Sequence, residues 1–476
     1  MSADKTLIVQ AADEVAEISV LNSTFDPVAR GVGRLQQALP TGVYKVTVRV
    51  GPVVEEQLVS LDEDRTVQIA APEIPSPIPF ASSTHSHSSQ RQVAISASSR
   101  PRDVFGHGAS IFIFARETTS EDDASQRNPA AGLSLLDENG QLLCDIEERA
   151  NIGSDGAPCA GWRADVSPGA YRIRLDLPNH TSFERALVAT GGKQTQLFMF
   201  ERDYGLPQAE THRAADLAGG TVVICASDRF DPSDERARLT ELAAYALVQK
   251  RRVLSDGLTN RLLDGKFEDP MQGLLGAHII LRDRPEDTHL FEVVTDNLKR
   301  LLGQDHPDVQ ALWLRRRNRG DVTEIRLRTP PMLRAGWDLA TEESVRDNDL
   351  IPSEAPSGTI AFKVLAAGPW LLWRGDEQHE AELESLTPDV SAAAGPLADY
   401  LKTRARVQAE RAPAPGALRR LNFAVRSLPG VRSVVGPPEP ASPTPVTLSV
   451  DEKAELARTL GIPGNAIENV LKSFSR

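Results

Sequence analysis

Residues 39–50 read Leu39-Pro40-Thr41-Gly42-Val43-Tyr44-Lys45-Val46-Thr47-Val48-Arg49-Val50, and residues 167–177 read Ser167-Pro168-Gly169-Ala170-Tyr171-Arg172-Ile173-Arg174-Leu175-Asp176-Leu177. In both, a Pro/Gly turn delivers a tyrosine into a strictly alternating run. Tyr44, Val46, Val48 and Val50 share one face, as do Tyr171, Ile173, Leu175 and Leu177. A period of two is the pattern of a half-buried strand. Outward from each run, a second strand follows at 57–61 or 185–188, and a third at 66–69 or 195–198. The repetition predicts two antiparallel β modules, over 1–71 and 104–202. The second is longer at its front, with strands expected at 110–114 and 132–136. There Asp137-Glu138-Asn139-Gly140 makes a hairpin turn before Gln141-Leu142-Leu143-Cys144.

The first run resembles the core strand of PEGA-type and carboxypeptidase-regulatory-like β-sandwich modules, a Pro-x-Gly-x-Tyr-x-Val-x-Val pattern met at Pro40, Gly42, Tyr44, Val46 and Val48. The second copy departs from it, because Gly169 directly follows Pro168. The resemblance implies two β-sandwich modules that act as spacers or adhesive units and carry no chemistry of their own.

Between the modules, 72–103 opens with Pro72, Pro75, Pro77 and Pro79 and continues through a serine-rich stretch holding His85 and His87. That composition predicts a disordered linker. Beyond about residue 217 the pattern turns helical. Gly220-Thr221-Val222-Val223-Ile224-Cys225 reads as one buried strand. Asp231-Pro232-Ser233-Asp234-Glu235 opens a helix with acids at the positive end of its dipole. A further helix starts at Pro285-Glu286-Asp287 and stops at Gly303, and Asp305-His306-Pro307 starts a short successor. Strands are expected at 323–328, 359–364 and 370–373, with a helix at Trp337 between. The fold class is therefore multidomain α+β. Two N-terminal antiparallel β-sandwich modules precede a mostly helical α+β middle domain over 217–376. A helical extension follows over 377–408, then a basic, proline-rich linker over 409–446, and a short C-terminal helical hairpin over 447–476.

Three strings in the middle domain resemble bacterial multidomain proteins found near caspase-like peptidases. They are Asp269-Pro270-Met271-Gln272-Gly273-Leu274-Leu275-Gly276-Ala277-His278, Asp305-His306-Pro307-Asp308-Val309 and Pro330-Pro331-Met332-Leu333-Arg334. This resemblance implies an accessory role in a signalling or defence pathway, with a caspase-like peptidase as partner.

Bulk properties narrow the function. The chain has 476 residues, 40% hydrophobic and 25% charged, with a net charge of −13. Packed domains are expected, and nucleic acid or anionic lipid is disfavoured as the main partner. The opening Met1-Ser2-Ala3-Asp4-Lys5 does not read as a secretory leader, and no apolar run approaches the roughly 20 residues of a membrane span. A cytoplasmic protein is expected. The three cysteines Cys144, Cys159 and Cys225 are expected to be reduced thiols, with a Cys144–Cys159 bridge as the alternative.

Candidate chemistry is thin. Gly191-Gly192-Lys193-Gln194-Thr195 lacks both the earlier glycine and the Ser/Thr of a phosphate loop, and reads as a hairpin turn. Cys225 ends a buried strand, as nucleophiles sometimes do, with His212 or His278 as conceivable bases. Its surround, Val-Ile-Cys-Ala-Ser, is not that of a caspase. His85, His87 and His107 have no acidic or cysteine company for a metal. Arg315-Arg316-Arg317-Asn318-Arg319 suits a helix C-terminus. Residues 401–435 hold Lys402, Arg404, Arg406, Arg411, Arg419, Arg420, Arg426 and Arg432 against Glu410. Arg419, Arg420 and Arg426 beside Leu421 and Leu428 would give an induced helix one cationic and one apolar face. Ile467 and Leu471 line the last helix, whose early positions lack the Lys or Arg that DNA contact needs. These seven residues are the expected partner-binding set. The sequence thus reads as a non-enzymatic adaptor or accessory protein for protein partners, with no cofactor or metal expected. The alternatives are a cysteine hydrolase using Cys225 and a nucleic-acid binder acting through the basic tail.

Overall fold

The computed structural model describes residues 4–12, 16–50, 53–70, 75–83, 85–117, 127–153, 158–204, 212–226, 229–234, 236–248, 256–316, 325–365, 368–375 and 448–468. The chain divides into two compact units. One comprises 1–323, 329–336 and 365–375, the other 324–328, 337–364 and 376–476. Mixed α and β structure with several largely antiparallel sheets bears out the broad fold class.

The first module contains β1 (Lys5–Ala11), β2 (Glu17–Leu21), β3 (Pro27–Val32), β4 (Arg34–Leu39), β5 (Gly42–Val50), β6 (Val53–Leu61) and β7 (Arg65–Ile69). They lie in the order β6-β5-β2-β3-β4-β1-β7. The alternation works as the sequence demands: Tyr44, Val46, Val48 and Val50 are buried, and so are Val59 and Leu61 opposite.

The second module contains β8 (Asp103–Val104), β9 (Ala109–Arg116), β10 (Leu133–Asp137), β11 (Leu142–Asp145), β12 (Asn151–Gly153), β13 (Cys159–Val166), β14 (Gly169–Asp176), β15 (Ser182–Ala189), β16 (Gln194–Tyr204), β17 (His212–Ala215) and β18 (Thr221–Cys225). Its core pairing repeats the first module strand for strand. β5 sits between β2 and β6, all antiparallel, and β14 sits likewise between β10 and β15. β1 pairs antiparallel with β4 and parallel with β7, and β9 does the same with β13 and β16. The tyrosines make the same bond. Tyr44 donates its hydroxyl to the Pro40 carbonyl at 2.7 Å, and Tyr171 to the Ser167 carbonyl at 2.8 Å. A tyrosine tied to backbone a few residues upstream fixes the entry into its strand. The one-residue shift of glycine against proline leaves that bond in place.

Four expectations about the second module and its neighbours need correction, and a fifth, the extent of the middle domain, is corrected by the other unit. The segment expected as a disordered linker is ordered in its described part. Ser88–Ser99 forms helix α1, and Ile78, Phe80, Ala94 and Ala97 pack on Phe112, Phe114 and Phe198. Serine and proline content misled because a few apolar residues, Ile78 and Phe80 among the prolines and Ala94 and Ala97 on the helix, are enough to pack the segment down. Second, Thr221–Cys225 does not open a separate domain, since β18 pairs antiparallel with β16 of the second module. Third, Gly191 and Gly192 do not form a hairpin: β15 and β16 lie in different sheets, and the turn carries the chain from one to the other. Fourth, of the strand expected at 359–364 only Val364 belongs to one, the short Val364–Leu365, since Pro356–Thr359 is a helical turn; of that expected at 323–328, the described residues 325–328 are outside any strand.

The helices extend the second module. They are α2 (Ile146–Arg149), α3 (Ala237–Val248), α4 (Asp256–Gly265), α5 (Pro270–Asp283), α6 (Thr288–Leu302) and α7 (Pro307–Trp313). Helix α5 is central, buried from Pro270 to Ile280 and packed by α3, α4, α6, α7 and β18. A Cβ on Gly273 would lie 2.8 Å from Leu298 Cδ2, and one on Gly276 would lie 2.8 Å from Leu263 Cδ2. These two glycines let the neighbouring helices approach.

In the other unit, Ser449 and Glu452 form a capping box on the helix Val450–Leu460, which ends on left-handed Gly461. Trp337 donates its indole N–H to the Gly461 carbonyl at 2.9 Å, and Gly464 N–H meets Ser344 Oγ at 2.8 Å. Residues 337–364 therefore belong with 448–468, not with the middle domain expected over 217–376. The expected helical extension over 377–408 and linker over 409–446 lie outside the described residues.

Candidate functional site

Cys225 lies at the end of β18, its thiol 3.6 Å from the Gln194 carbonyl. Burial, with Asp269 and Asp234 nearby, pushes it up to about 12. A nucleophilic cysteine needs the reverse, a thiolate favoured by cationic neighbours. Cys144 and Cys159 are free thiols as well, raised by burial to about 12 and about 11. Beside Cys225, a pocket of about 240 Å³ is lined by His107, Gly108, Arg163, Asp165, Lys193 and Ala226, among others. Arg163 there is engaged by Asp165 at 3.1 Å and donates to the Ser98 carbonyl at 2.8 Å. Neither His212 nor His278 lines this pocket. His278 is fully buried on α5, and burial lowers it to about 4. Among the described residues no three His, Cys, Asp or Glu side chains converge on a possible metal position.

The three middle-domain strings turn out to be joints. The Asp269 carboxylate accepts from Met271 N–H at 3.1 Å as the cap of α5, from Ile224 N–H at 2.9 Å and from Thr240 Oγ1 at 2.7 Å. It thereby fastens α5 to β18 and α3. The Asp308 carboxylate accepts from Met332 N–H and Leu333 N–H, each at 2.9 Å, so the second string clamps the third. Burial raises both carboxyls to about 6 despite these bonds. His306, buried beside Asp308, is lowered to about 3. Of the basic run at 315–319, Arg316 pairs with Asp296, and its guanidinium lies 4.5 Å from the Trp313 ring centre.

Of the expected partner-binding residues, Arg419, Arg420, Leu421, Arg426, Leu428 and Leu471 lie outside the described residues. Ile467 is fully buried, packed with Leu448, Leu456, Ala457, Ile462 and Ala466, so its side chain is core in its unit.

The feature sequence reading missed is a matched pair of sheet edges. In the second module the strand Leu372–Arg374 adds antiparallel to β15, setting Trp373 opposite Glu184. Trp373 donates its indole N–H to Glu184 Oε2 at 3.0 Å. Arg172 Nη1 lies 3.3 Å from the same oxygen, and its guanidinium is 5.8 Å from the Trp373 ring centre. In the first module the equivalent strand, β6, is the edge of its sheet among the described residues. Counting from the two tyrosines, Thr47 opposite Glu56 matches Arg174 opposite Glu184. Lys45 matches Arg172, and Lys45 pairs with Glu56 at 2.8 Å. The signal was present in sequence, a basic residue after each tyrosine and a glutamate on the next strand. It gained meaning only once the register was known.

Comparison with known proteins adds little. No protein-family model and no curated protein matches the chain. Among solved structures, "The Bacillus anthracis TIE protein" is similar over 40% of this chain and 32% of its own length, at 12% identity and a TM-score of 0.16.

Proposed function

We propose that this protein is a non-enzymatic, cytoplasmic adaptor or accessory protein that mediates protein–protein interaction through β-sandwich modules and a basic tail, with a caspase-like peptidase as one partner. The observation that carries this reading is the repeated module, one strand-pairing scheme built twice. The raised Cys225 thiol speaks against the hydrolase alternative, since a thiol near 12 is almost wholly protonated at neutral pH.

The test has two arms. A maleimide probe at pH 7.5 should label Cys225 far more slowly than a model thiol, and rapid labelling with loss of a hydrolase activity would replace this reading with the enzyme. In the second arm, Arg419, Arg420 and Arg426 are changed to Glu in the full chain, keeping 448–468 because Trp337 bonds to Gly461. Calorimetric binding to a caspase-like peptidase of the same genome should weaken at least tenfold. Unchanged binding removes the tail from the account, and no binding by the native chain removes that partner.

A further inference from the structure

We infer that β6 of the first module is a receptor edge for an extended segment of another polypeptide, one carrying a tryptophan opposite Glu56 and a basic residue beside it. The chain itself shows what occupies such an edge. In the second module the equivalent strand is completed by Leu372-Trp373-Arg374, whose indole is held by Glu184 and faced by Arg172. The first module keeps the receiving groups at the same register. Glu56 stands where Glu184 stands and Lys45 where Arg172 stands, with the same diagonal ion pair. The difference is cover. The Glu184 side chain is 6% exposed and that of Glu56 is 51%.

Charge and shape select the occupant. β6 leaves Val54, Glu55, Glu56, Gln57 and Leu58 exposed, and Leu58 is 73% exposed. Two glutamates on an edge discourage indiscriminate pairing with apolar strands. They favour a strand that brings an N–H donor and a cation, as Trp373 and Arg374 do next door. Main-chain bonds would supply affinity in strand addition, and side chains on alternate positions the specificity. An exposed aromatic stands beside the site. Phe25 lies under Lys45, with 5.9 Å from Nζ to the ring centre, and has a φ of 63°. Its turn is fixed by Asn22, whose side-chain oxygen accepts from the N–H groups of Thr24 at 3.0 Å and Asp26 at 2.9 Å. A bulky residue held in left-handed backbone is strain retained by its surroundings, and such strain gathers at ligand sites.

This inference rests on the binding reading above and gives it a surface. The probe is a fluorescein-labelled peptide with the sequence of residues 369–375, Pro-Trp-Leu-Leu-Trp-Arg-Gly, titrated against the full chain by anisotropy. Saturable binding is expected. It should weaken at least tenfold with Glu56→Lys, and equally when the second tryptophan of the peptide is replaced by alanine. Glu56→Lys should leave the melting temperature unchanged, because Glu56 is half exposed. No binding by the native chain, or binding indifferent to Glu56→Lys, overturns the proposal. A concentration-dependent dimer abolished by Glu56→Lys, without peptide binding, gives the edge to a second copy of the chain and also overturns it. None of these outcomes touches the tail test, so failure here and failure of the adaptor reading remain distinct.

Discussion

The two β modules share a strand-pairing scheme and a tyrosine bond, yet they bury different chemistry. Among the described residues of the first module the buried positions are apolar apart from the Tyr44 hydroxyl. The second buries Arg116, Glu117, Arg163, Arg172, Glu184 and Arg185. The cause is cover. In the first module one side of each strand faces outward, so alternation can leave the polar groups in water. In the second, α1 and the 75–83 segment pack on β9, which is buried along its whole length, and the strand Leu372–Arg374 extends the other sheet beside β15. Outward-pointing polar groups were enclosed and had to find partners. Arg116 shows how completely this was done. Its guanidinium donates to the carbonyls of Pro77 at 3.0 Å, His85 at 2.7 Å and Ser76, and to Gln90 Oε1 at 2.9 Å. Ser76 in turn donates to the half-buried Glu241 at 2.6 Å. Arg185 donates to the Leu217 carbonyl at 3.0 Å and lies 4.2 Å from the Trp370 ring centre. The same framework thus stands free in one copy and is bound by buried charges in the other.

The strongest way to break this contrast is Arg116→Ala. It strands several acceptors at once, and the second module should lose on the order of 3 kcal/mol. Its denaturation midpoint should fall, with proteolysis opening within 75–90, while a separate transition of the first module stays in place. If both transitions move together, the modules are one cooperative body and the contrast is false.

A smaller effect concerns acid. His278 has its folded value lowered to about 4 by burial, so its contribution is fully present above its ordinary 6.5 and is lost as pH falls through about 4. At pH 5 the loss from this residue should be about 2 kcal/mol relative to pH 7.5. Asp269 and Asp308, raised to about 6, act in the opposite sense, contributing most below 3.8 and least once pH has risen through about 6. Comparing His278→Leu with the native chain at both pH values isolates the histidine. The first module contains no histidine, so its transition should show no such difference. An equal pH 5 penalty in both proteins would show that His278 is not the acid-sensitive group.

The smallest effect sharpens the shared part. Tyr44→Phe and Tyr171→Phe each delete one hydrogen bond, worth about 1 kcal/mol. Tyr44 is buried and Tyr171 is half-buried, so the first module should lose more. The measurement is the midpoint of each module's own transition in urea. A larger loss from Tyr171→Phe would mean that the two corners are not equivalent.

Sequence by itself determined the strands whose outer face is in water and the helices whose ends carry caps. Tyr44 to Val50 alternates because one side is wet, and Asp287 and Gly303 bound α6 as their residue types require. The three strings around Asp269, Asp308 and Met332 stood out in sequence, but their role as joints did not. A carboxylate that caps a helix and one that also grips a strand 45 residues away, as Asp269 grips Ile224, look alike in one dimension. Only the tertiary structure decided that 88–99 is a helix, that β18 completes the second module's sheet, and that a strand some 190 residues downstream seals β15. The physical reason is that burial of a polar or small residue is a property of what covers it, and the covering segments come from far along the chain. The two edges carry that lesson furthest. Glu56 and Glu184 are the same residue type at the same register; Glu184 is covered and bonded by Trp373, while Glu56 stays half exposed.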